Sequence, residues 1–115
     1  MELVALLSSG KGTWGQVSGL VNRGEWDNII LLGNDFARKF TLEKEHEFIE
    51  IKEGTIVDMK QEILDKLKDK IKGTEVALSI ASGTGKEHMA LISALLSIPV
   101  GIRFTALTTE GVIFM

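Results

Sequence analysis

The chain has 115 residues, of which 44% are hydrophobic and 25% charged, with a formal net charge of −3. That length and mix suit one soluble globular domain spanning 1–115, and the charge does not favour duplex DNA or an anionic membrane surface. The absence of cysteine excludes disulfides, thiolate metal ligands and a cysteine nucleophile, and two histidines, His46 and His88, are too few for a histidine-rich metal site.

Residues 3–7 (Leu-Val-Ala-Leu-Leu) read as a first, buried strand. A helix follows over 13–23, with Trp14, Val17, Leu20 and Val21 on one face and Gly24 as its stop. Residues 28–32 form a second apolar strand. Gly33-Asn34-Asp35 then opens a short helix carrying Phe36, Ala37 and Phe40. Residues 47–51 alternate polar and apolar, as a strand near a sheet edge does. The clearest helix spans 56–72, capped by Thr55 with Asp58 three residues later, and ended by Gly73. Its inner stripe is Ile56, Met59, Ile63, Leu67 and Ile71, and Glu62 with Lys66 makes a favourable surface pair. Residues 75–80 are a fourth, central strand. A helix over 86–97 is expected to bury Met89, Ile92, Leu95 and Leu96, and Pro99 breaks it. Residues 100–107 form a fifth strand, and Thr109-Glu110-Gly111 turns into a sixth that ends at Met115, making a hairpin. No run reaches the roughly 18 apolar residues of a membrane span. Met1-Glu2 lacks the basic start of a signal peptide, so a cytoplasmic location is the expectation.

Strands alternating with helices imply a three-layer, doubly wound, mainly parallel α/β sheet of Rossmann-like type. The expected order is 3-2-1-4-5, with a sixth, antiparallel strand at the edge. In that order strands one and four are neighbours, and ligands bind beyond their C-terminal ends, where the winding direction reverses.

Two loops would meet there. Strand one runs into Ser8-Ser9-Gly10-Lys11-Gly12-Thr13, and strand four into Ser82-Gly83-Thr84-Gly85-Lys86-Glu87-His88. Each combines hydroxyl residues, glycines and a lysine, and each precedes a helix. Glycines let backbone amides approach an anion, and helix N-termini add donors, so the pair points to one site for a phosphate-bearing ligand. Lys86 stands near the start of its helix, where a cation opposes the helix dipole and a phosphate would offset that cost. Its plain alternative is a surface lysine. Lys11 is exposed or closes over the anion. His88 is an acid–base candidate, with a packing or helix-surface role as the alternative. Trp14 is more plausible as core or pocket wall than as a base-stacking platform, and Trp26 as cover for the sheet edge.

Gly10-x-Gly12-x-x-Gly15 matches the dinucleotide-binding spacing, and Asp35 lies 20 residues beyond Gly15, where a ribose-binding acid belongs. Asn34 and Asp35 serve equally well as helix caps. A Walker loop would need glycine at 80 and Ser or Thr at 87, where Ile80 and Glu87 stand. No paired carboxylates or His-x-x-x-His pattern suggests a metal hydrolase, and neither metal nor cofactor is expected.

The segment ASGTGKEHMALISALLSIPVGIRF resembles the second ligand-binding motif of CRISPR-associated Rossmann-fold (CARF) domains, in which a basic residue follows a hydroxyl residue by four, as Lys86 follows Ser82. Ser8-Ser9-Gly10 corresponds to the family's first motif. The family often carries Asp or Asn two positions before the hydroxyl residue, and Ile80 stands there instead. The resemblance implies a homodimer binding a cyclic oligoadenylate in CRISPR antiviral signalling, with any effector on a separate chain. Some members are ring nucleases, in which the ribose 2′-hydroxyl attacks the adjacent phosphodiester without metal. Carried over, Ser9 (or Ser8) and Lys86 would position the ring and stabilise developing charge, while Ser8 to Thr13, Asn34, Asp35, Ser82 to Lys86 and His88 would line the site. A small dinucleotide-binding domain and a non-catalytic adaptor subunit are the alternative readings.

Overall fold

Three aliphatic runs make the centre of the sheet. In the computed structural model, which describes residues 1–7 and 13–115, β1 (Glu2–Leu7) is buried along its whole length. It pairs in parallel with β2 (Ile29–Gly33) on one side and β4 (Glu75–Ser79) on the other. A strand with neighbours on both edges and helices on both faces has no side for water, so every residue of the run is apolar except at its first position.

The period of two divides these strands between two cores. Val4, Leu6, Ile30, Leu32, Val76 and Leu78 face α2 (Ile56–Leu67) and α3 (Gly85–Leu96). Leu3, Ala5, Leu7, Ile29, Leu31 and Ala77 face the opposite way, onto α1 (Trp14–Arg23). β3 (Glu47–Glu50) closes one edge; β5 (Gly101–Thr108) and the antiparallel β6 (Gly111–Phe114) close the other. The six-stranded order is β3-β2-β1-β4-β5-β6. This is the expected Rossmann-like arrangement, with β1 and β4 at the centre.

Local chemistry explains most boundaries. The Thr55 hydroxyl accepts the Asp58 N–H at 3.1 Å and starts α2. Asn34 caps a 3-10 turn over Asp35–Lys39, accepting from the Ala37 N–H at 3.1 Å. The Trp26 indole donates to the Leu20 carbonyl at 2.8 Å and its ring meets Phe114, so it covers the β6 edge.

Two expectations are corrected. The helix expected over 56–72 ends at Leu67, and Ile56, expected in its inner stripe, is exposed, leaving Met59, Ile63 and Leu67 as its buried residues. Beyond it, Glu2 Oε1 accepts the N–H groups of Lys72 at 2.8 Å and Gly73 at 2.9 Å. The buried carboxylate at the start of β1 therefore draws these amides out of a helical course. The inner face of α3 is Ala90, Leu91, Ala94 and Leu95; of the expected stripe Leu95 is buried and Ile92 packs partly against the core, but Met89 and Leu96 are exposed. The helix is apolar around most of its circumference, so its sequence does not select a face. The two alanines let it lie close against its neighbours, α2 among them.

At the far end, β5 outruns β4, whose last paired residue is Leu78 against Phe104. The Gln16 amide fills the gap. Its Nε2 donates to the Leu107 carbonyl at 3.2 Å, and its Oε1 accepts from the Leu107 N–H. This side chain substitutes for a missing strand and fixes the first turn of α1 against the sheet.

Candidate functional site

Ala5 and Ser79 are partners in the β1–β4 ladder, so the chain leaving β4 starts beside the C-terminal end of β1. Of the loop after β1, Ser8, Ser9, Gly10, Lys11 and Gly12 lie outside the described residues. The loop after β4 is fully described. Gly83 carries its one left-handed residue, at φ +110°. A Cβ there would come within 2.4 Å of Leu6 Cδ2 and 3.2 Å of His88 Nε2. Glycine is required on both grounds, conformation and space. Gly85 and Gly15 differ: among the described residues nothing lies within 4 Å of an added Cβ at either position. In a dinucleotide fingerprint the third glycine permits close helix–strand packing. Gly15 meets no such need, and Gly19 instead is the α1 glycine pressed against a side chain, that of Leu107.

Thr84 begins α3 with a complete capping box. Its hydroxyl accepts the Glu87 N–H at 3.2 Å, and its own N–H donates to Glu87 Oε1 at 2.8 Å. The Thr84-x-x-Glu87 spacing is the signal of this box in the sequence. The box does not use the N–H groups of Gly85 and Lys86. It also sets a carboxylate where the helix dipole favours one. The α1 start is different, since the Thr13 hydroxyl makes no capping bond and the first turn holds no acid.

His88 is turned back onto its loop. Its Nε2 lies 2.9 Å from the Ser82 carbonyl, and a carbonyl only accepts, so Nε2 carries a proton. The imidazole thus braces the buried Ser82 and the Gly83 turn. Lys86 reaches Glu53, with Nζ 3.1 Å from Oε1. Glu53 has no sequence signal as a site residue, because the contact joins positions 33 apart.

A cleft of about 420 Å³ opens between the ends of β2 and β4, lined by Asn34, Glu53, Met59, Gly83, Thr84, Lys86 and Glu87. It brings Asn34, Gly83, Thr84 and Lys86 together. Ser82 is buried behind it, and Gly85 and His88 are not among its lining residues. Asp35 points away: its side chain is 88% exposed and pairs with Arg38 at 3.7 Å. Trp14 packs against Phe36 and Phe40, at ring separations of 5.8 and 5.6 Å, as a wall of the α1-side core. Larger hollows of about 580 and 510 Å³ involve residues such as Trp26 and His46, or Glu2 and Gly73. Those lie toward the N-terminal ends of the parallel strands. Ligands of open α/β sheets bind at the C-terminal ends, so the smaller cleft is the candidate site.

Beside the cleft, a smaller hollow of about 250 Å³ shares Glu53 and Met59 with it and is also lined by Lys52 and Glu62. Glu62 Oε1 accepts the Lys52 N–H at 2.9 Å, and its other oxygen pairs with Lys66 at 3.1 Å. Burial raises the Glu62 pKa, but the Lys52 N–H and the Lys66 ammonium outweigh it, and the carboxyl is held below its ordinary value. Glu62 thereby anchors the segment that carries Glu53.

Among the described residues, no group of three or more histidine and acidic side chains is disposed to hold a metal ion. Nor is any helix there long and apolar enough to cross a membrane. The chain matches no protein-family model and no curated protein.

Proposed function

We propose that this protein binds a cyclic oligoadenylate, or a closely related phosphate-bearing nucleotide, at the C-terminal end of β1 and β4. The observation that carries this reading is the glycine-turned loop of β4, which puts Lys86 and the start of α3 in a cleft at the switch point. Gly83 permits the close turn, Lys86 supplies a cation, and the Lys86 backbone N–H, which the capping box does not use, supplies a donor for a phosphate. Asn34 reaches the same cleft from β2. The resemblance of Ser82 to Lys86 to the second CARF motif selects the ligand class, and it implies a homodimer that holds one ring across its two-fold axis.

Any cleavage of the ring would run through the ribose 2′-hydroxyl, with Ser9 and Lys86 steadying charge on the phosphate. His88 spends an Nε2 proton on the Ser82 carbonyl and does not line the cleft. No strong general base is at hand among the described residues, so turnover would be slow and binding the main activity. The dinucleotide alternative is less well supported, because Asp35 pairs with Arg38 in solvent and Gly15 meets no packing demand.

A thermal-shift panel tests this reading. Cyclic tetra- or hexa-adenylate should raise the melting temperature, and NAD or FAD should not. Stabilisation by NAD or FAD alone would favour the dinucleotide reading, and no response to either set would leave an adaptor role. Incubation of the bound ligand with a chelator present, followed by chromatography, separates cleavage from binding.

A further inference from the structure

The β3–α2 connection supplies a residue that neither the glycine loops nor the family resemblance accounts for. The Glu53 side chain is 90% exposed, yet its carboxylate lies 3.1 Å from Lys86 Nζ, and both residues line the same cleft. Its backbone is held from both sides. The Lys52 N–H is bound by Glu62, and Thr55 caps α2. The carboxylate is therefore delivered to Lys86 by a pinned segment while remaining open to water.

Two carboxylates stand at this cleft, and they are not equivalent. Glu87 accepts the Thr84 N–H and completes the capping box, so moving it uncaps α3. Glu53 makes an exposed pair with a flexible ammonium, an interaction that water and salt screen to a small net gain. A phosphate brings more charge and more acceptor oxygens to the same ammonium. Of the two acids, Glu53 is the one that can leave at little cost.

We propose that Glu53 is a displaceable counter-ion, holding Lys86 until a ligand phosphate takes its place and thereby setting the affinity of the cleft. The inference rests on the reading of this cleft as a phosphate site. It makes Glu53 a specificity-determining residue, since a neutral ligand cannot compete for Lys86 and a polyanion can.

The test is calorimetric titration of wild type, Glu53→Gln, Lys86→Ala and the double variant, with cyclic tetra-adenylate and separately with inorganic pyrophosphate. Melting curves confirm that each variant is folded. Glu53→Gln should tighten binding about two- to fivefold, the free energy of one exposed pair. That gain should disappear in the Lys86→Ala background. Equal or weaker binding by Glu53→Gln overturns the proposal. So does a gain that persists in full without Lys86, which would be a general effect of charge. Tightening of pyrophosphate with no binding of cyclic tetra-adenylate would keep the counter-ion role and reject the cyclic nucleotide. Binding of neither probe by any variant rejects both.

Discussion

Gly83→Ala should be among the most damaging single-methyl additions in this fold. The residue sits at φ +110°, a conformation that costs a side-chain-bearing residue about 1–3 kcal/mol. The new Cβ would also lie 2.4 Å from Leu6 Cδ2, and Leu6 is fully buried in the α2–α3 core. Relieving that overlap costs about a further 1–3 kcal/mol, because a packed leucine cannot swing away. His88 Nε2, at 3.2 Å from the same Cβ, is tied to the Ser82 carbonyl and cannot yield without breaking that bond. The sum is about 2–6 kcal/mol, or a fall of roughly 8–25 °C in Tm for a domain of this size. Urea denaturation followed by circular dichroism measures it. Gly85→Ala is the matched control, since its Cβ meets nothing within 4 Å among the described residues and alanine is the better helix former. It should be neutral or stabilising by up to about 1 kcal/mol. A Gly83→Ala protein within about 0.5 kcal/mol of wild type would refute the account of this turn.

The observed face of α3 makes a second prediction. Leu91→Ala should destabilise by about 2–5 kcal/mol, while Met89→Lys and Leu96→Lys should stay within about 0.5 kcal/mol of wild type. Large losses at 89 and 96 would restore the stripe expected from sequence. Acid titration makes a third. Glu62 is less readily protonated in the fold than in the unfolded chain, so its contribution is complete above the ordinary value of 4.5 and is lost as pH falls below it. Glu62→Gln should therefore flatten the fall in stability between about pH 5 and 3, measured by urea unfolding at each pH. An unchanged acid limb would show that the Lys52 and Lys66 contacts carry no linkage.

The strands and their order were legible because each central strand has an aliphatic run at its middle and Thr55 marks the start of α2. Thr55, Pro99 and the Thr109-Glu110-Gly111 turn did the local work expected of them. What stayed hidden depends on contacts between distant positions. The course of the chain beyond α2 is held by Glu2, which binds the Lys72 N–H 70 positions away. The tie between α1 and β5 is a Gln16–Leu107 contact spanning 91 positions. No periodicity announces either. The buried face of α3 was illegible for another reason: a helix apolar on nearly every side leaves the choice to its neighbours.

At the cleft the split is similar. Asn34, Gly83, Thr84 and Lys86 could be picked out from loop composition and strand order. Their restraints could not, except for Thr84-x-x-Glu87, which is a readable cap. The Lys86–Glu53 pair joins two loops that only the fold brings together. The exposure of Asp35 likewise follows from a 3-10 turn whose phase the sequence leaves open.

In the proposed function Lys86, at the glycine-turned start of α3, receives a phosphate of a cyclic oligoadenylate. Titration calorimetry of wild type and Lys86→Ala with cyclic tetra-adenylate, at fixed low salt, tests it most directly. Loss of one charge-assisted phosphate contact should weaken binding by about 1.5–3 kcal/mol, or roughly 10- to 150-fold. Equal affinity of the two proteins, both folded and both binding, would remove Lys86 from the site and contradict the account.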